Sequence, residues 1–196
     1  MRIAFMGLMR SGKDTSAAYF VSNFGGTIVS FAAPLYEMQK EIYRIAGLPE
    51  SKDRKLLQWL GTEWGRSIDE NIWVNVAINK IKSMPESENI YVTDCRFANE
   101  EKALRELGFS FVMLKAPKEA LVERGASGTQ HESEKFASTY EGADITIYNN
   151  AGLKELHAEL DKAYFILKDD AKTPFSASSS VSPSSLPKRA ANQLIC

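Results

Sequence analysis

Residues 3–16 read IAFMGLMRSGKDTS, an apolar strand-like run that passes into two glycines and a lysine. Gly7 and Gly12 frame four residues and Lys13 follows. That spacing is nearly G-x-x-x-x-G-K-[ST], the loop whose backbone N–H groups and following helix N-terminus face a phosphate. The last position holds Asp14 where a hydroxyl is expected, with Thr15 next along. A strand before the glycines and a helical pattern after them favour a phosphate loop over an ordinary glycine-bearing turn. Lys13 is then placed to reach β- and γ-phosphates. Asp14 can hold a hydrated Mg²⁺ directly or through water, because that ion keeps several waters and accepts one or two carboxylates. Its charge also suits a helix N-terminus.

Outward from this loop the chain alternates between two periods. Runs with strand character are Arg2–Met6, Thr27–Phe31, Ile90–Thr93, Phe109–Leu114 and Ile145–Tyr148. Helical patterns cover Lys13–Asn23, Pro34–Ala46, Arg54–Gly65, Ile72–Ser83, Ala98–Leu107, Lys118–Arg124 and Leu153–Leu167. Such alternation predicts an α/β fold with a five-stranded parallel sheet flanked by helices. Ligands in these sheets bind beyond the carboxyl ends of the strands, so polar residues just after strands are the candidates for a site.

The chain has 196 residues, 44% hydrophobic and 25% charged, with a net charge of −1. That length suits one α/β domain. A near-neutral balance offers no electrostatic argument for nucleic acid or a membrane as partner. The cysteines, Cys95 and Cys196, form no disulfide framework, and no apolar run reaches membrane-spanning length; the expected location is the cytoplasm. From Lys172 the text turns Ser-rich, with three prolines and no acidic residue. Residues 172–196 are therefore expected to be a disordered tail and 1–171 the folded domain. The tail's three basic residues leave 21 positive against 25 acidic side chains in the body, a charge of −4.

Further stretches carry chemistry. In NIYVTDCRFANEEKALRELG an apolar run ends at Asp94, with Arg96, Asn99 and Glu100 at the start of a helix. Asp94 could act through a metal or as a base, and Arg96 could bind a phosphate in bidentate fashion; the alternative is an N-cap at Asp94 with an Arg96–Glu100 ion pair. LLQWLGTEWGRSIDENIWVN places Trp59, Trp64 and Trp73 among Thr62, Glu63 and Arg66, groups able to read a base and bind a phosphate, although aromatics at this spacing also build cores. A lid is expected at about 124–135, where Arg124 leads into a Gly/Ser-rich loop. His131 in that loop lacks partners at zinc-ligand spacing.

Taken in order, GLMRSGKDT, APLYEM, LLQWLGTEWGR, NIWV, VTDCRFANE, HESE and ITIYNNAGLKEL make the chain resemble the phage-type deoxynucleoside monophosphate kinases, within the P-loop kinase group. The resemblance covers residues 1 to 168. It implies transfer of the ATP γ-phosphoryl group to a deoxynucleoside monophosphate, with Mg²⁺, small-molecule substrates and a possible homodimer. By that match ATP would sit on Gly7, Arg10, Ser11, Gly12, Lys13, Asp14, Thr15 and Ser16, with Asp14 toward the metal. The acceptor would sit on Leu35, Thr62, Glu63, Arg66, Trp73, Asp94, Arg96 and Glu100. Lys13, Asp94, Arg96 and Arg124 would serve catalysis, Arg124 from the lid. The chain departs from the pattern at Met9 and Tyr36, where the family often carries Lys, and its lid has one arginine where related kinases often use two. Two other readings remain: a P-loop kinase of another metabolite such as dephospho-coenzyme A, and a nucleotide-binding module without catalysis.

Overall fold

The computed structural model describes residues 1–126, 132–170 and 192–194. The strands are β1 (Arg2–Met6), β2 (Thr27–Val29), β3 (Ile90–Val92), β4 (Ser110–Lys115), β5 (Ile145–Tyr148) and β6 (Asn192–Leu194). They form one sheet in the order β2-β3-β1-β4-β5-β6, with every pairing parallel. The expected five-stranded parallel sheet is present. β6 adds a sixth, edge strand from within the segment expected to be disordered, pairing Ile145 with Asn192. The tail's other residues lie outside the described ones.

β1 reads as a continuous apolar run because helices cover both of its faces. Ile3, Ala4, Phe5 and Met6 are fully buried. On one face α4 (Ile72–Lys82) and α5 (Ala98–Glu106) bring Val74, Ala77, Ile81 and Leu104 against Ala4, Val92 and Phe111. On the other, α1 (Lys13–Phe24) and α8 (Leu153–Asp170) bring Ala17, Phe20, Leu156 and Leu160 against Phe5, Val112 and Ile147. The chain leaves β1 on one side for β2 and β3, then crosses over to β4 and β5. The carboxyl end of β1 thus opens on the crevice where such sheets hold ligands.

Two departures from the expected elements bear on that crevice. β2 and β3 end early, at Val29 and Val92, because the next groups bond elsewhere. The Asp94 carboxylate accepts from Ser30 Oγ (2.5 Å), Phe31 N (3.1 Å) and Ala32 N (2.9 Å). This ties the start of α2 (Ala33–Ile45) to the end of β3. The pattern over Arg54–Gly65 resolves into a short α3 (Arg54–Gln58) and a π-helix over Trp59–Arg66. Trp73 drives the widening. Its Nε1 donates to the Gly61 carbonyl at 2.8 Å, and its ring fills the space where Gly65 lacks a side chain. The remaining helices are α6 (Lys118–Glu123) and α7 (Glu132–Thr139), the latter unexpected from the Gly/Ser-rich reading of the lid. Residues 127–131 of that lid, His131 among them, lie outside the described residues.

Candidate active site

The phosphate loop begins where β1 stops. Gly7 and Gly12 take φ of +139° and +109°, and Arg10 takes +66°. A Cβ at Gly12 would come within 2.7 Å of Asn149 Nδ2, which donates to the Ser11 carbonyl at 2.9 Å. The polar turn after β5 therefore braces the loop from behind, and Gly12 is small for that reason as well as for its backbone. Lys13 Nζ donates to the carbonyls of Gly7 and Leu8, both at 2.8 Å, and lies across the mouth of the loop. Asp14 and Thr15 are exposed on the first turn of α1. Ser16 is turned inward instead: it is buried and donates its hydroxyl to the Gly12 carbonyl at 2.9 Å, so it does not face the cavity.

A cavity of about 1060 Å³ lies over this loop. Arg10, Gly12, Lys13, Asp14 and Thr15 line one side, and Arg124, Asn149 and Gly152 another. Arg124 Nη1, from its lining, and Ser11 Oγ, buried within the loop, are polar atoms without a hydrogen-bond partner among the described residues. Arg124 is held by its other nitrogen, Nη2, which donates to the Asn149 carbonyl at 3.3 Å. An unsatisfied buried guanidinium nitrogen is costly unless an anion completes it, which fits a polyphosphate ligand. For Mg²⁺ the donors lining this cavity are the Asp14 carboxylate, the Thr15 hydroxyl and the Asp94 carboxylate, the last already accepting from Ser30 and two amides. No cluster of three or more acidic, His or Cys groups occurs among the described residues. That sparse set suits an ion that takes its other ligands from water and phosphate.

A second cavity, about 220 Å³, adjoins the first. Phe31, Leu35, Gly61, Thr62, Trp73 and Phe97 give it apolar and small walls, and Arg66, Asp94, Arg96 and Glu100 its charges. Of the expected acceptor residues, Leu35, Thr62, Arg66, Trp73, Asp94, Arg96 and Glu100 meet here. Glu63 does not; it is exposed on the outer face of the π-helix. Trp73 is only 5% exposed and doubles as core.

The ion pair in this pocket differs from the one weighed in sequence. Glu100 Oε1 meets Arg66 Nη2 at 2.5 Å, and its Oε2 accepts from the backbone N–H groups of Arg96 (2.7 Å) and Phe97 (3.2 Å). Arg66 is further fixed by donating to the Glu70 carbonyl at 3.0 Å and by lying 3.9 Å over the Phe97 ring. Burial pushes the Glu100 carboxyl up to about 7, outweighing the two amides and the Arg66 guanidinium that favour its ionised form. Asp94, engaged by Ser30 and two amides, organises the pocket floor.

The cavities share a border formed by Ala32, Tyr36, Lys52, Arg54, Asp94 and Arg96. Lys52 and Arg54 were not foreseen. The only local signal was a basic run, SKDRK at 51–55, ahead of the Trp-rich segment. Phe97 was also missed, since nothing in sequence shows which ring an arginine will stack upon.

A phosphate loop at the central strand of a parallel, helix-covered sheet, with Asp94 at the end of the adjacent strand, defines the P-loop kinase fold. Shikimate kinase from Acinetobacter baumannii, solved in complex with shikimate, shares this fold at 15% identity and a TM-score of 0.54, over 88% of this chain and 95% of that one. Shikimate kinase from Aquifex aeolicus matches at 18% identity and a TM-score of 0.51, over 87% and 98%.

The chain belongs to the deoxynucleotide monophosphate kinase family, whose model matches residues 50–160. It is 27% identical over 185 residues to the "putative deoxynucleotide monophosphate kinase" of Acanthamoeba polyphaga mimivirus, covering 81% of this chain and 93% of that protein. It is 36% identical over 141 residues to an uncharacterized protein of Ictalurid herpesvirus 1 (strain Auburn), covering 70% of this chain and 59% of that protein. Among the described residues no helix is long and apolar enough to cross a membrane.

Proposed function

We propose that this protein phosphorylates deoxynucleoside monophosphates to diphosphates with ATP. The observation that carries the reading is the pair of adjoining cavities. One lies over a phosphate loop; the other is an apolar pocket with a fixed arginine, and the border between them is cationic. The small pocket's flat rings and the Arg66–Glu100 pair suit a base and its hydrogen-bonding edge. The larger cavity suits a nucleoside triphosphate held by the loop and Arg124.

In the proposed reaction an oxygen of the acceptor's phosphate attacks the γ-phosphorus, the bond from that phosphorus to the β–γ bridging oxygen breaks, and ADP leaves. No enzyme nucleophile is needed, so catalysis is positioning and charge stabilisation. Lys13 leaves the carbonyls of Gly7 and Leu8 for the phosphates. Arg96 steadies the acceptor phosphate at the cavity border, and Arg124 completes its buried nitrogen on the donor side. Mg²⁺ held toward Asp14 would supply charge neutralisation between the donor phosphates. Asp94 keeps Ser30–Ala32 in place and so fixes where α2 enters the pocket.

A coupled assay of ADP release against dAMP, dCMP, dGMP, dTMP and their ribose counterparts tests the proposal. Acceptor-dependent ADP release with at least one deoxynucleotide is expected. ATP binding with no turnover of any nucleotide would sink it, and turnover of dephospho-coenzyme A alone would replace it.

A further inference from the structure

One helical face, running from α3 into the π-helix, forms a wall of the smaller cavity. We propose that Gln58, on that face, reads the edge of the acceptor's base and, by turning its amide over, lets the pocket take more than one base; that the acceptor carries a base at all rests on the kinase reading.

Arg54, Gln58, Thr62 and Arg66 follow one another at intervals of four, and all of them line this cavity. Residues so spaced share a helical face. The ends of the row are charged and its middle is neutral. Arg54 stands at the border with the larger cavity, where Lys52 and Arg96 also lie. Arg66 closes the inner end, held by Glu100 and the Glu70 carbonyl. In the proposed reaction the acceptor's phosphate sits at the cationic border, so its base lies inward, along Gln58 and Thr62.

Between those two residues the wall is flat and apolar. Gly61 lies so close to Leu35 of α2 that a Cβ there would come 3.0 Å from Leu35 Cδ1, and its carbonyl is taken by Trp73 Nε1. The charges at the inner end are spent as well: Glu100 gives one oxygen to Arg66 and the other to the amides of Arg96 and Phe97. Gln58 and Thr62 differ in this respect. Neither side chain has a hydrogen-bond partner among the described residues, and Gln58 is exposed. A carboxamide sets a donor beside an acceptor. Adenine, cytosine, thymine and guanine each present a donor beside an acceptor as well, in one order or the other. Turning the amide over matches either order, and the Thr62 hydroxyl rotates to donate or accept. A carboxylate in place of Gln58 would only accept, and guanine alone offers two neighbouring donors, its ring N–H and its amino group.

Calorimetric titration of the full chain with dAMP, dCMP, dGMP and dTMP, beside turnover of each, tests the assignment. The parent should bind more than one of them. At about pH 8, where an exposed Glu is ionised, Gln58→Glu should raise the preference for dGMP over the others by about tenfold or more. Gln58→Leu should weaken every base that the parent binds by about tenfold and keep their order. Both variants should melt as the parent does, since Gln58 is exposed. An order of bases unmoved by Gln58→Glu overturns the assignment, as does a parent that binds a single base or none. A shift toward dGMP in binding, in a chain that phosphorylates no nucleotide, leaves Gln58 as the base reader and overturns the kinase reading. Turnover by the parent with an unmoved order does the reverse.

Discussion

Lys13 spans the phosphate loop, its ammonium donating to two carbonyls of its own loop, a fold-back that donor phosphates would have to undo in the proposed reaction. Lys13→Met should remove that crossbar and the charge proposed to meet the phosphates. The expected loss is about 10²–10³-fold in kcat with the fold intact, checked by turnover and circular dichroism on one preparation. Glu100 makes the other residue-scale test. Its folded carboxyl is raised from an ordinary 4.5 to about 7, so its contribution to stability is full below 4.5 and lost as pH rises through 7. The unfolding free energy of the parent minus that of Glu100→Gln should accordingly fall by roughly 3 kcal/mol between those pH values. A difference that grows with pH would mean that the Arg66 pair outweighs burial. Residues differed in how legible they were. Lys13, Asp14 and Thr15 declare themselves because the loop is local. Asp94 is legible as a strand-end carboxylate, but its partners Ser30–Ala32 are not, because they lie more than sixty positions away. The pairing of Glu100 with Arg66 rather than Arg96 is likewise set by a contact 34 residues distant.

Among the elements, the π-helix Trp59–Arg66 brings Gly61, Thr62 and Arg66 to the smaller pocket, the proposed acceptor side. Its apolar spacing reads as ordinary helix, since the eye counts hydrophobic positions and misses the indole that takes Gly61's carbonyl. Gly65 is where the widening depends on an absent side chain: a Cβ there would run into the Trp73 ring. Gly65→Ala should cost about 1–3 kcal/mol, read as a lower denaturant midpoint, and should raise the acceptor KM more than the ATP KM. Equal effects on both substrates would show that the π-helix does not shape the acceptor side selectively. The strands were easier to read than this helix. β1 and β5 match their runs residue for residue: β1 is covered on both faces and buried throughout Ile3–Met6, whereas β5 alternates buried Ile145 and Ile147 with half-buried Thr146 and Tyr148. β2 and β3 are shorter than their runs because Asp94 takes over the bonding that a ladder would have continued.

At the level of the whole molecule, alternation of strand and helix was enough to predict the sheet and to point to the carboxyl end of β1. The joining of two cavities was not visible, since Lys52, Arg54 and Tyr36 reach the border from the α2–α3 region while Asp94 and Arg96 come from the turn after β3. The sixth strand was also missed: a Ser-rich segment gave no reason to expect Asn192–Leu194 beside β5. β6 pairs at the sheet edge beyond β5, and the tail lies outside the stretch that resembles the kinases. Deleting residues after Ala171 should therefore leave kcat and both KM values within about twofold, a change at the level of surface substitutions. A large loss would place the tail in the working enzyme. The most direct measurement follows the phosphorus itself. With γ-labelled ATP and a single deoxynucleoside monophosphate, label is expected in the β-phosphate of the deoxynucleoside diphosphate, in step with ADP and lost in Lys13→Met. Label appearing only as inorganic phosphate, or on the deoxynucleotide at the same rate in Lys13→Met, would contradict it.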